Sequence, residues 1–196
     1  MKLVHFFFLD IGLGKLEDFT DYLKNIEMLS KYNPNTEIMM WDEPKLDLLV
    51  KNFYPELLDF WNGLPHTLYK VDFGRYIVLK KYGGMYVDLD MECLCPLPNP
   101  NETDFINIFT DCKGIETFNG NVIYFRDSSM YDKLIQFSQD RFKNNKMPIN
   151  WKRRRLLYTV GARMYHKFCR DNKLKKTNVD KYFKDEMSKT WLRADM

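Results

Sequence analysis

Two aspartates separated by one apolar residue, Asp88-Leu89-Asp90, are the residues in this chain best suited to chemistry. A pair of carboxylates at this spacing suits a hard divalent cation such as Mg²⁺ or Mn²⁺, which takes carboxylate oxygens and keeps coordination positions open for substrate phosphates. The same carboxylates can accept hydrogen bonds from sugar hydroxyls. Thirteen to eighteen residues upstream stand Asp72 and Arg75, three apart and therefore on one face if the segment is helical. Their carboxylate accepts from hydroxyls, and the guanidinium donates to phosphate or sugar oxygens. By itself an Asp-x-Asp is common and reads as a solvated turn, so the flanking residues carry the weight.

Those flanks set the elements that must position the four groups. Leu68, Val71, Ile77, Val78 and Tyr82 recur at helical spacing, and Gly83-Gly84 stops the helix, the first glycine as an αL cap. Met85-Tyr86-Val87 resumes as a strand. With a period of two, Asp88 and Asp90 are expected to project to one side of its carboxyl end, with Leu89 pointing away. In α/β sheets that edge is where ligands bind.

The rest of the chain alternates in the same way. Leu3 to Phe8 reads as a buried first strand, Lys15 to Lys31 as an amphipathic helix facing inward through Leu16, Phe19, Leu23, Ile26 and Leu29, and Glu37 to Trp41 as a second strand. Asp42 opens a helix carrying Leu46, Leu49 and Val50, and Pro55 starts a short piece through Trp61. Further strands are expected over Asp104 to Thr110 and Asn121 to Phe125, with helices over Met130 to Phe142 and over Leu156 to Arg170, the latter interrupted by Gly161. The order argues an α/β fold with an open sheet, since 196 residues are too few for eight βα units. No repeat or low-complexity linker divides the chain, so residues 1–196 are expected to form a single domain.

Composition removes several classes. Hydrophobic residues make up 45% and charged residues 29%, which excludes disorder and collagen-like sequence. The net charge of +3 is too small to define a polyanion as partner, so no nucleic acid is expected. Cys93, Cys95, Cys112 and Cys169 lack a CxxC zinc spacing and read as reduced thiols. With no apolar run near 18 residues and no leader-like N-terminus, the expectation is a soluble chain without a membrane span, in a reducing, cytoplasmic compartment. Oligomeric state is not legible.

Asp72-x-x-Arg75, Lys81-Tyr-Gly-Gly-Met-Tyr-Val-Asp-Leu-Asp90 and Pro96, in that order, resemble the sugar-binding region of glycosyltransferase family 32. The likeness covers about Tyr54 to Pro98. Weaker echoes are Val4-His5-Phe6, Tyr32-Asn-Pro-Asn through Trp41-Asp42, and Thr159-Val-Gly161, where Ala162 stands in place of the family's usual Pro. The resemblance implies a GT-A fold (a Rossmann-like nucleotide-diphospho-sugar transferase) with an open mixed sheet. It also implies a nucleotide-diphosphate sugar donor, with UDP- or GDP-sugars expected, a Mn²⁺ or Mg²⁺ ion, and a glycan or other hydroxyl acceptor.

Carried over by position, Asp90 is the direct metal ligand and Asp88 contacts ribose or donor sugar and reaches the metal through water. Asp72 with Arg75 hold the donor sugar. Asp185-Glu186-Met-Ser-Lys-Thr190-Trp191 resembles the family's C-terminal acid and Ser-Trp pair. It implies Glu186 or Asp185 and Thr190 at the metal, and Trp191 at the diphosphate. His5 falls on the strand whose backbone borders the nucleotide, although its own residue type on a buried strand reads as a satisfied core histidine. Family members retain anomeric configuration, so no dedicated carboxylate base is implied.

Plainer readings stand beside these. His66 and His166 are assigned nothing. Tyr82 and Tyr86 read as core, and Trp41 as core or as a base-stacking ring. Asn119-Gly-Asn121 reads as a turn, or as an amide near donor or acceptor. Lys152 to Arg155 reads as a solvated helix start, or as a face toward a diphosphate, an anionic acceptor or a membrane. Two competing functions are a haloacid-dehalogenase-like phosphatase with Asp88 as nucleophile and a non-enzymatic nucleic-acid-binding module. In the first, the Asp-x-Asp normally follows the first strand, and here it does not.

Overall fold

The computed structural model describes residues 1–12, 14–102, 106–110, 116–148, 151–175 and 180–186. The sequence expectations for Cys112, Ser188, Thr190 and Trp191 fall outside them.

Five strands form the main sheet: β1 (Leu3–Phe7), β2 (Glu37–Trp41), β3 (Met85–Val87), β5 (Ile106–Thr110) and β6 (Glu116–Ile123). Their order is β2-β1-β3-β6-β5. β1 pairs in parallel with β2 on one side and β3 on the other. β6 runs antiparallel to both β3 and β5. The sheet is thus open and mixed. Its order reverses around β1, which makes the carboxyl ends of β1 and β3 the place where a crevice opens. Alternation along the parallel strands sends Val4, Phe6, Met85 and Val87 to one core and Phe7 and Tyr86 to the other.

Helix α1 (Thr20–Tyr32) connects β1 to β2. It is preceded by a 3₁₀ turn over Leu16–Asp18, and this break shifts the helical phase from the one expected for a single helix from Lys15. Tyr22, Asn25 and Leu29 are the buried positions, while Leu23 is 41% exposed. Between β2 and β3 the chain forms α2 (Glu43–Phe53), α3 (Leu58–Asn62) and α4 (Thr67–Tyr82). The Asp42 side chain caps α2 by accepting from the Lys45 amide at 2.9 Å. Helix α4 buries residues around most of its circumference, from Leu68 to Leu79. Such a helix lies inside the domain rather than on its surface.

Gly83 and Gly84 follow with φ of +65° and +78°. Gly83 has ψ of −150°, so it is not the αL cap the sequence suggested, although the positive φ still favours glycine. At Gly84 a Cβ would lie 2.6 Å from the Leu3 carbonyl oxygen, so only glycine lets the turn enter β3 alongside β1.

The remaining elements are β4 (Met91–Cys93), α5 (Ser129–Lys143), α6 (Lys152–Thr159), α7 (Ala162–Asp171) and β7 (Phe183–Asp185). β4 and β7 form a separate antiparallel pair, with Met91 opposite Asp185 and Cys93 opposite Phe183. Sequence patterning marked neither strand. Among the described residues no helix is long and apolar enough to cross a membrane. Cys93, Cys95 and Cys169 are free thiols.

Candidate active site

A cavity of about 350 Å³ opens at the carboxyl edge of β1 and β3, within the size range of small-molecule sites. Asp72, Arg75, Asp88 and Asp90 all line it. Asp72 and Arg75 reach it from α4, three residues apart on one face as the spacing predicts. The aspartate pair reaches it differently from the expected strand alternation. β3 ends at Val87, and residues 88–91 form a tight turn closed by the Met91 amide donating to the Asp88 carbonyl at 3.1 Å. The turn lets Asp88, Leu89 and Asp90 all border the cavity, while Leu89 is at the same time part of the buried core that includes Val4, Phe6 and Leu29.

The guanidinium of Arg75 organises the site. It is an ion-pair partner of Asp72, donates from one terminal nitrogen to the Gly120 carbonyl at 2.6 Å, and lies 3.8 Å from Asp88 Oδ1. Its carbon stands 4.7 Å from the centre of the Tyr86 ring, a cation–π contact in an enclosed setting. Tyr86 in turn donates its hydroxyl to Asp88 Oδ1 at 2.5 Å. Tyr86 is core, as its position on β3 implied, and it is also part of the site. Nε of Arg75 is buried without a hydrogen-bond partner among the described residues.

Enclosure dominates the titration of these groups. Burial raises the Asp72 carboxyl above its usual value, against the opposing pull of Arg75. Asp88 is pushed up to about 7, chiefly by burial, with Arg75 opposing and the charge of Asp90 adding. The Arg75 guanidinium stays charged, because the surrounding acids and tyrosines outweigh its desolvation.

Backbone approaches the acid–base pair from α7. A Cβ on Gly161 would lie 2.7 Å from Asp72 Oδ2 and 3.2 Å from the Leu157 Cα. Glycine is therefore required for the α6–α7 junction to sit against Asp72. Tyr76, on the same helix as Arg75, fixes this junction by donating its hydroxyl to the Val160 carbonyl at 2.8 Å. Ala162 borders the cavity directly. Leu156, Leu157 and Tyr165 supply an apolar wall that residue types alone did not reveal. Their signal was only helical spacing, which any core helix shares.

The β4–β7 pair brings the distant acids beside the turn. The Glu186 amide donates to the Asp90 carbonyl at 3.0 Å, and the Asn25 side-chain amide donates to both the Leu89 carbonyl at 2.9 Å and Glu186 Oε2 at 3.2 Å. Asp185 accepts from the Asn121 amide at 2.7 Å. Asn119-Gly120-Asn121 lies within β6 rather than in a turn before it. Asn119 borders the cavity, and Asn121 faces Asp185 instead.

His5 is not among the cavity-lining residues. It is fully buried, with Nε2 2.9 Å from the Gly83 carbonyl and Nδ1 accepting from the Trp41 indole at 3.1 Å. That pattern fixes the neutral ring protonated on Nε2, and burial lowers its pKa to about 4. The sequence-based placement of His5 in donor binding thus gives way to the core reading. Trp41 is core too, at 5% exposure. Tyr82 is 40% exposed and packs its ring 5.5 Å from Trp41.

Comparison with known proteins agrees with this geometry. Residues 20–107 match the family model described as glycosyltransferase sugar-binding region containing DXD motif. Inositol phosphoceramide mannosyltransferase 3 of Schizosaccharomyces pombe is 33% identical over 61 residues, which are 31% of this chain and 17% of that protein. The uncharacterized glycosyltransferase L373 of Acanthamoeba polyphaga mimivirus is 38% identical over 64 residues, 32% of this chain and 26% of that protein. These matches span about a quarter or less of the relatives' length. Among solved structures the PaToxG glycosyltransferase superimposes with a TM-score of 0.60 at 12% identity, over 87% of this chain and 69% of that one. The fold shared with that structure is GT-A, an open mixed sheet with the paired aspartates after β3, and residues 20–107 on it are similar to the glycosyltransferase sugar-binding region containing the DXD motif.

Proposed function

We propose that the chain is a divalent-cation-dependent, retaining glycosyltransferase that moves a sugar from a nucleotide-diphosphate donor, a UDP- or GDP-sugar, to a hydroxyl of a glycan or other acceptor. The observation that carries the reading is the convergence of Asp72, Arg75, Asp88 and Asp90 on one cavity at the switch point of the sheet. Residues 1–196 are read as one catalytic domain, supported by the two cores that share a single main sheet.

The donor set suits the cation. Among the described residues no three His, Cys, Asp or Glu side chains converge into an all-protein cage. Mg²⁺ and Mn²⁺ do not need one, since one or two carboxylates suffice when substrate phosphates complete the sphere. Asp90 and Asp88 would hold the ion, with Glu186 and Thr190 as further candidates. When bound, the ion supplies positive charge to the departing diphosphate.

The chain's own residues then do the positioning. Asp72 accepts hydrogen bonds from donor hydroxyls, and Arg75 fixes Asp72 while presenting its unpartnered Nε toward donor oxygens. Asp88, held by Tyr86 and Arg75, meets the sugar or ribose hydroxyls, and the resemblance assigns Trp191, outside the described residues, to the diphosphate. The bond between the anomeric carbon and the diphosphate oxygen breaks as the acceptor oxygen bonds to the same face. The acceptor proton passes to the leaving diphosphate, so no protein base is needed.

A panel of UDP- and GDP-sugars with Mn²⁺ tests the reading through slow donor hydrolysis without acceptor. Hydrolysis of at least one donor is expected, abolished in Asp90→Asn. Undiminished turnover in that variant refutes the role of Asp90, and a uniform lack of response refutes the activity.

A further inference from the structure

A second cavity, of about 710 Å³, lies between the C-terminal half of α5 with residues 144–148 after it and α6, which contributes Tyr158, with Trp151 just before that helix. It is lined by Asp140, Arg141, Asn144, Asn145, Lys146, Trp151 and Tyr158. None of these residues belongs to the transfer site, and the basic run from Lys152 to Arg155 is not used there either.

Four features of the cleft point to one chemistry. Trp151 is 46% exposed, unusual for an indole, with the Arg154 guanidinium 5.1 Å from its ring centre. An exposed aromatic face of this kind takes the apolar C–H face of a sugar ring. Asn145 accepts from the Met147 amide at 2.8 Å, yet its Nδ2 is buried without a hydrogen-bond partner among the described residues. A buried donor of this sort calls for an acceptor oxygen. Asp140 receives a hydrogen bond from Gln136 at 2.9 Å on one oxygen, which leaves a carboxylate that accepts hydroxyl donors and repels a dense phosphate backbone.

Finally, α6 begins with no side-chain cap and no acid in its first turn, and carries Lys152 and Arg154 there instead. Cations at the positive end of a helix dipole are unfavourable, and an anion beside them relieves the repulsion.

From these features we infer that the α5–α6 cleft binds an acidic oligosaccharide. Its hydroxyls pair with Asp140 and the amides of Asn144 and Asn145, one ring stacks on Trp151, and its carboxylates face Lys146, Arg141 and the start of α6. The α6 helix is shared by both cavities, since Leu156 and Leu157 wall the transfer site while Tyr158 walls the cleft. An acceptor chain held in the cleft is therefore anchored to the same helix that shapes the transfer site, a step that rests on the function proposed above.

The test is calorimetric titration of the full chain with hyaluronan octasaccharide in the absence of donor. Cellohexaose serves as the neutral comparison, and a twenty-residue oligothymidylate as the nucleic-acid comparison. The expected result is binding of hyaluronan alone, weakened about tenfold or more by Trp151→Ala and by the charge reversal Lys146→Glu. Thermal stabilisation by UDP with Mn²⁺ should be unchanged in both variants. Absence of hyaluronan binding to the wild type, unaltered affinity in both variants, equal affinity for cellohexaose, or tighter binding of the oligothymidylate each overturns the proposal. Because no donor is present, such a failure leaves the hydrolysis result for the transfer site standing on its own.

Discussion

Acid titration of His5 gives a quantitative check on how the first strand is joined to the turn that launches β3. The ring is fully buried, and its pKa is about 4 in the folded chain against 6.5 for an exposed histidine. The unfolded chain therefore takes up a proton as pH falls through 6.5, while the folded chain resists until near 4. Stability from this group is complete above pH 6.5 and is lost as pH falls from 6.5 toward 4. At 1.36 kcal/mol for each pH unit of displacement, the total is about 3 kcal/mol.

Asp88 acts in the opposite direction. Its folded pKa of about 7 lies above the ordinary 3.8, so protonation between pH 7 and 3.8 favours the folded chain. Wild-type stability alone would mix the two. Comparing it with His5→Gln separates them, because Gln keeps a donor for the Gly83 carbonyl and an acceptor for the Trp41 indole without titrating. Urea unfolding of both proteins from pH 7.5 to 4 is the assay. The variant should carry a constant penalty of about 1 kcal/mol for imperfect hydrogen bonds at neutral pH. That gap should then close, and reverse, as pH falls. UDP binding at pH 7.5 should be the same in both proteins, since His5 lies outside the cavity. A gap that stays constant across the pH range refutes the buried-neutral assignment, and a large loss of UDP binding in the variant restores the donor-site reading.

Two further substitutions probe the site. Arg75→Met leaves Asp72 enclosed without its cation, and unfolding in urea should show a loss of about 3 kcal/mol together with loss of donor hydrolysis. Gly161→Ala places a methyl 2.7 Å from Asp72 Oδ2, so donor hydrolysis should fall about tenfold or more, with melting temperature lowered by a few degrees. Full activity in the alanine variant would show that the α6–α7 junction yields without moving Asp72.

Local signals in the sequence determined a large part of this protein. Helical spacing from Leu68 to Tyr82, two glycines that stop it, and a short apolar run before Asp88 specify helix, turn, strand and carboxylates without reference to anything remote. Asp72 and Arg75 share a face simply because three residues make most of a helical turn. Where the outcome depended on partners far along the chain, only the tertiary structure decided it. Leu23 is outward because a 3₁₀ turn resets the phase of α1, which spacing alone does not show. Asp88 and Asp90 share the cavity through a tight turn instead of strand alternation, because β4 leaves that turn to pair with β7 at 183–185. The same pairing sets Glu186 against the Asp90 backbone and gives Asp185 to Asn121, a choice that two adjacent acids cannot signal by themselves. By residue type His5 reads as a core histidine, and only the family resemblance sets it beside the donor. Its two ring nitrogens are claimed by Gly83 and Trp41, and only the folded chain brings those partners within reach.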